Sequence, residues 1–146
     1  MSTSYVDIYT SFLRKINDFD LPQFADDELY DYCYNIMKTA IAKLPSINHD
    51  LSDVTVDEET EDEMFTADLS AYEIELIANQ MVVEWIDTEL NNMQLLRMFV
   101  GTKDESMSSQ ANHMEKLTTL REKRRADVSM MIRDYAYREW VAEDNT

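Results

Sequence analysis

The side chains in this sequence that could do chemistry are few. Two histidines, His49 and His113, one cysteine, Cys33, and four glutamates on a single apolar stretch, Glu73, Glu75, Glu84 and Glu89, are the candidates for metal ligation, nucleophilic attack or general acid–base work. Neither histidine has a second ligand at a metal-binding spacing, and His113, within SQANHM, reads as a packing or hydrogen-bonding residue. The four glutamates could form a carboxylate pair or a di-iron site, but the Glu-x-x-His element that completes such bundles is missing. One glycine in 146 residues cannot build a phosphate-cradling loop. Cys33 lies inside an apolar stripe with no neighbouring cation to lower its pKa, so it reads as a small buried hydrophobe. These residues predict no enzyme, no metal centre and no cofactor.

Charge is the other chemical resource. Thirty acids against 13 bases give a formal net of -17, unevenly distributed. Fourteen acids and no Lys or Arg fall between Lys43 and Arg97, whereas Arg97 to Arg138 carries nine bases against six acids. Grasping DNA or RNA requires cations that displace condensed counterions, so the chain as a whole is disfavoured as a nucleic-acid binder. An acidic middle and a basic last helix allow copies to complement one another head to tail. The run Asp57-Glu58-Glu59-Thr60-Glu61-Asp62-Glu63 has little to bury, and it lacks the glycine of a calcium loop. Residues 46–68 are therefore expected to form an exposed, mobile acidic loop.

The elements that must carry these groups are helical. With one Gly and two Pro, tight hairpins are poorly supplied, and an all-α bundle of four to five helices in one domain is expected over residues 1–138, with a tail at 139–146. Its organising element is Leu69 to Leu90: Ser70 and Glu73 have the spacing of a capping box, and Leu69 and Ile74 that of a hydrophobic staple. Ile74, Ile77, Ala78, Met81, Val82, Trp85 and Ile86 form one stripe, and Leu76, Val83 and Leu90 add apolar surface elsewhere, which suits a central position.

Around it, Ser4 and Asp7 mark the start of a first helix with Tyr5, Ile8, Tyr9, Phe12, Leu13 and Ile16 on one face, ending at Asn17-Asp18. A linker through Leu21-Pro22-Gln23 leads to a second helix begun by Asp26, Asp27 and Glu28 and stopped by Pro45. Asn91 to Val100 is read as a separate short helix closed by Gly101, followed by a polar connection over Thr102 to Ser109. A long helix is predicted from about Ser108 to Arg138, on the order of 45 Å at the α-helical rise. Its charged middle, Arg121 to Arg125, is expected to leave the subunit's own core. Glu139 to Thr146 reads as a loose acidic tail, in which Trp140 and Val141 are out of place unless they dock on a neighbour. No stretch resembles a signal peptide or approaches the roughly 20 apolar residues of a membrane span, so a cytoplasmic or particle-assembled protein is expected.

Three segments, LSAYEIELIANQMVVEWI, GTKD followed by SQANHMEKLTTLR, and IRDYAYR, resemble a family of small helical head-tail connector, or neck adaptor, proteins of tailed bacteriophages. The resemblance covers roughly residues 69–138, and the acidic segment at 46–68 departs from the shorter adaptors. It implies a homo-oligomeric ring beneath the portal, in the virion neck, assembled in the host cytoplasm and joined to the next neck or tail protein. DNA would pass through such a ring without tight binding. Under this expectation Asp57, Glu58, Glu59, Glu61, Asp62 and Glu63, or else the acids of the central helix, face the channel or its rim, while Arg121, Arg124, Arg125, Tyr135, Tyr137 and Trp140 contact a neighbour or the portal. An acidic DNA mimic that occupies the basic groove of a host nucleic-acid enzyme is the alternative, and a helical scaffold or tail-assembly factor a third possibility.

Overall fold

The computed structural model describes residues 2–16, 26–100 and 104–144. Its elements run β1 (Thr3–Ser4), α1 (Tyr5–Lys15), α2 (Asp26–Ala42), β2 (Val54–Val56), β3 (Glu63–Phe65), α3 (Ala71–Val100) and α4 (Asp104–Asp144). The expected helical architecture holds, with a small three-stranded sheet added to it. The expected helix ends at Asn17-Asp18 and Gly101, and the Leu21-Pro22-Gln23 linker, lie outside the described residues.

α3 is the centre. Both halves of its capping box form: the Glu73 N–H donates to Ser70 Oγ at 3.1 Å, and the Ser70 N–H donates to Glu73 Oε1 at 2.9 Å. Every residue from Leu76 to Ile86 is buried, and α1, α2 and α4 all pack against this helix. Ile8, Phe12, Met37, Ile77, Met81 and Ile86 are fully buried in one shared core. Each such side chain contributes roughly 1.5–3 kcal/mol before entropy is counted. α1 starts where its residues dictate, with Ser4 accepting from the Val6 N–H at 3.2 Å and Asp7 in the first turn. In α2, burial pushes the Cys33 thiol up to about 11, in keeping with an inert core residue.

Four expectations are corrected. First, Asn91 to Val100 is no separate helix: α3 continues through it to Val100. Nothing between Leu90 and Met93 breaks the helix, since the two asparagines are only modestly unfavourable in a helix interior. Second, α4 begins at Asp104, within the stretch read as a connection, and runs to Asp144, so Glu139 to Asp144 is helix and not a loose tail. Two contacts tie its far end down. Asn48 Nδ2 donates to Glu139 Oε2 at 3.3 Å, and the Arg138 guanidinium lies 4.6 Å from the Tyr72 ring centre.

Third, the expected mobile loop contains a β-hairpin. Val54, Thr55 and Val56 pair antiparallel with Phe65, Met64 and Glu63, and Thr3 and Ser4 pair with the other edge of β3. Phe65 anchors it, 1% exposed and 4.7 Å from the Tyr5 ring centre. Thr3 joins this sheet to the start of α3: its hydroxyl donates to the Ala67 carbonyl at 2.9 Å and accepts from the Leu69 N–H at 2.8 Å. Fourth, the arginine-rich middle of α4 does not leave the core as a block, as its side-chain partners show below.

Candidate functional site

Three of the four glutamates of the central helix, Glu73, Glu75 and Glu84, are held by partners from other elements. Glu73 is 4% exposed and ringed by donors: the Ser70 N–H, the Tyr135 hydroxyl at 3.0 Å from Oε2, and His49 Nε2 at 3.0 Å from the same oxygen. Tyr135 Oη in turn accepts from the Asn48 N–H at 2.9 Å. Burial pushes the Glu73 carboxyl up, but the Ser70 and Tyr135 hydrogen bonds and the His49 ring outweigh it, leaving it below the usual carboxylate range. Glu75 follows the same pattern, with burial opposed by Lys15, Ser11 and Asn79. Glu84 pairs with Lys43 at 2.7 Å and accepts from Gln80 Nε2 at 2.9 Å. These groups join elements together, and Glu84 with Asp87 also lines a cavity of about 260 Å³ between α3 and α4, beside Lys43 and Arg125. Among the described residues, no group of three or more His, Cys, Asp or Glu is placed to hold a metal ion.

The acids of the hairpin turn are displayed to solvent. Glu58, Glu59, Glu61 and Glu63 are exposed, with Asp57 and Asp62 partly buried. Without a glycine, the turn is closed by Asp57, whose Oδ1 accepts from the Glu59 and Thr60 N–H groups at 2.8 and 3.0 Å. The Thr60 and Glu59 N–H groups hold the Asp57 carboxyl below its usual value. Glu61 takes a left-handed backbone with φ of 61°, a conformation that costs a non-glycine residue roughly 1–2 kcal/mol.

That turn forms one wall of a groove of about 430 Å³, whose other walls come from α1 and α2. Tyr5, Tyr9, Tyr30 and Tyr34 line it, and Asp31, Glu61, Asp62 and Glu63 supply its charge. Neighbouring rings lie about 6 Å apart, with Tyr9–Tyr30 centres at 6.0 Å and Tyr5–Tyr34 at 6.0 Å. Burial first raises the phenol pKa of both Tyr5 and Tyr9, followed by Tyr34 and then Glu63 for Tyr5, and by Cys33 and then Glu63 for Tyr9. The surface is thus aromatic and acidic at once.

The six expected contact residues on α4 divide. Arg121 and Arg124 turn inward onto α3: Arg121 Nε lies 2.8 Å from Asp87 Oδ1, and Arg124 Nη1 donates to Asn79 Oδ1 at 2.8 Å. They lie in the same three-four stripe as Leu117, Val128 and Tyr135, which faces α3. Tyr135 is 6% exposed and occupied with Glu73 and Asn48, so it too belongs to the subunit interior. Tyr137 and Trp140 remain outward-facing, and Arg125, although exposed, lines a cavity with Lys43, Glu84 and Asp87. Tyr137 and Trp140 are 62% and 60% exposed, with ring centres 6.0 Å apart, and Met130 is 63% exposed. Positions 126, 130, 133, 137 and 140 continue as one exposed seam along the back of α4.

Sequence reasoning missed both the Glu73–His49–Tyr135–Asn48 network and the tyrosine groove. A glutamate within an otherwise apolar stripe is the only signal for the first; the recurrence of tyrosines at three-four spacing in α1 and α2 is the signal for the second.

Among the described residues no helix is long and apolar enough to cross a membrane. No family model, no curated protein and no solved structure matches the chain.

Proposed function

We propose that this chain is a structural protein of a tailed-phage neck, a head-tail connector subunit. In this reading copies form a ring below the portal, extend the DNA channel and join the head to the next neck or tail protein. One observation carries it. A well-packed helical body presents two surfaces of different character, the acidic hairpin turn with its tyrosine groove and the back of α4, where Arg133 stands among Met130, Tyr137 and Trp140. Such a body suits association with protein neighbours through two different patches, which is how rings of identical subunits are built. A carboxylate-rich face at the channel or its rim offers no cation to phosphate, so DNA would pass without being held.

The reading is tested on purified phage particles of the source strain. Mass spectrometry of mature particles, with gold-labelled antibody in electron microscopy, is expected to place the chain at the neck. Absence from mature particles would overturn the connector. Tight binding to a basic nuclease or polymerase, in competition with duplex DNA, would replace it with the DNA mimic.

A further inference from the structure

We infer that the tyrosine groove between α1, α2 and the hairpin turn is the docking site for the exposed Met130–Arg133–Tyr137 seam of α4 from a second copy of this chain. This rests on the connector reading and adds the pair of surfaces through which copies would meet.

The groove's chemistry defines its occupant. Aromatic faces flanked by carboxylates favour a guanidinium or ammonium group, which the ring faces attract electrostatically and the carboxylates pair. Apolar side chains can cover the rest of the rings. A negatively charged or purely apolar partner would leave Asp31, Asp62 and Glu63 desolvated without compensation. The seam on α4 meets this requirement: Arg133 stands between Met130 and Tyr137, three residues from one and four from the other, so the three lie along one helix face. Both flanking side chains are mostly exposed, and the exposed Lys123 adds positive charge on the N-terminal side of that seam, next to the exposed Glu122. Arginine and aromatic residues are the types that concentrate binding energy at interfaces.

Groove and seam lie on different elements, so the pair closes either reciprocally in a two-fold dimer or head to tail. The connector reading takes the second arrangement, with each copy offering its groove to one neighbour and its seam to the next. That geometry closes into a ring when the rotation per copy divides a full turn.

The test uses the full chain. Self-association is measured by sedimentation equilibrium with light scattering, at low and high salt, for the parent, Arg133→Glu, Glu63→Arg and the double variant. Positions 63 and 133 are both exposed, so each variant is expected to keep the parent's circular dichroism and thermal midpoint. Each single change is expected to weaken association at least 10-fold, the double variant to recover most of it, and high salt to weaken the parent. As a direct readout of proximity, Glu63→Cys and Arg133→Cys chains, mixed and oxidised, are expected to give a cross-linked dimer that neither gives alone. Cys33 is buried and does not compete. Association that is indifferent to both single changes, with no mixed cross-link, would overturn this docking and leave a self-assembling connector standing. No association at any concentration, with no mixed cross-link, would overturn the docking too. The connector itself is then judged by its place in the particle.

Discussion

α3 and α4 are neighbours in chain and in space, yet they solve opposite problems. From Leu76 to Ile86 α3 is buried on every side, and even its polar residues there have partners, Arg124 for Asn79 and Lys43 for Glu84. α4 covers α3 with one stripe, in which Leu117, Val128 and Tyr135 are buried, and carries a second seam through Met130, Arg133 and Tyr137 that faces outward. A helix buried all round carries the core of a fold. A long helix held by one stripe has a second face left for a partner, and here that face combines arginine with large apolar side chains.

The strongest way to break this comparison is to remove equivalent bulk from each helix. Ile77→Ala in α3 opens a cavity where no part of the side chain is exposed, and it is expected to lower unfolding stability by about 2–5 kcal/mol. Met130→Ala in α4, 63% exposed, is expected to change it by no more than about 0.5 kcal/mol. Urea unfolding of both variants measures the contrast. Comparable losses would mean that the outer seam of α4 is already covered within the subunit.

A smaller effect tests how α4 is fastened. Tyr135→Phe removes the hydroxyl that links the Asn48 N–H to the Glu73 carboxylate, and a loss of about 1–3 kcal/mol is expected from the buried groups left unpaired. The same network makes stability depend on acid. Folding depresses the Glu73 and Glu75 carboxyl pKa values, so the unfolded chain binds more protons between the folded and unfolded values. Stability from these groups is therefore complete above the unfolded glutamate value of about 4.3 and is lost as pH falls through the lower, folded value. Urea midpoints measured from pH 7 downward are expected to fall more gently in Glu73→Gln, which lacks one of the two groups. An unchanged slope would remove Glu73 from the account.

The same contrast explains what the sequence makes legible. The start of α3 can be read because both partners of its cap, Ser70 and Glu73, lie three residues apart, and its burial because the apolar residues leave no polar face of ordinary width. The hairpin could not be read that way. Val54 and Val56 are exposed, so β2 shows no buried alternation, and β3 is completed by Thr3 and Ser4 from the far end of the chain. Its turn is made by Asp57 and a left-handed Glu61 in place of the glycine that would have signalled it. The acidic run was legible as charge, but not as the wall of a groove, because the tyrosines opposite it come from α1 and α2. Likewise Glu73 was legible as a cap and not as the partner of Tyr135, 62 residues away.

The arginines of α4 give the finest test of the comparison, because neighbours in sequence fall on opposite sides of it. Read alone, Arg121-Glu122-Lys123-Arg124-Arg125 is a charged block that interrupts an apolar stripe. In the fold, 121 and 124 continue the stripe 117, 121, 124, 128, 131, 135, with steps of three and four. They stay in it because α3 presents the Asp87 carboxylate as an ion-pair partner for Arg121 and the Asn79 carbonyl oxygen as an acceptor for Arg124, where an apolar residue would have offered neither. Arg124→Ala leaves the buried Asn79 carbonyl oxygen without that donor, and a loss of about 1 kcal/mol is expected. Arg125→Ala, one residue on and exposed, is expected to cost less than about 0.5 kcal/mol. Denaturant midpoints of the two variants, with slopes equal to the parent's, separate them. If Arg125→Ala proved the more damaging, the stripe that holds α4 to α3 would be misassigned by one position, and the outward seam built on positions 130, 133 and 137 would turn with it.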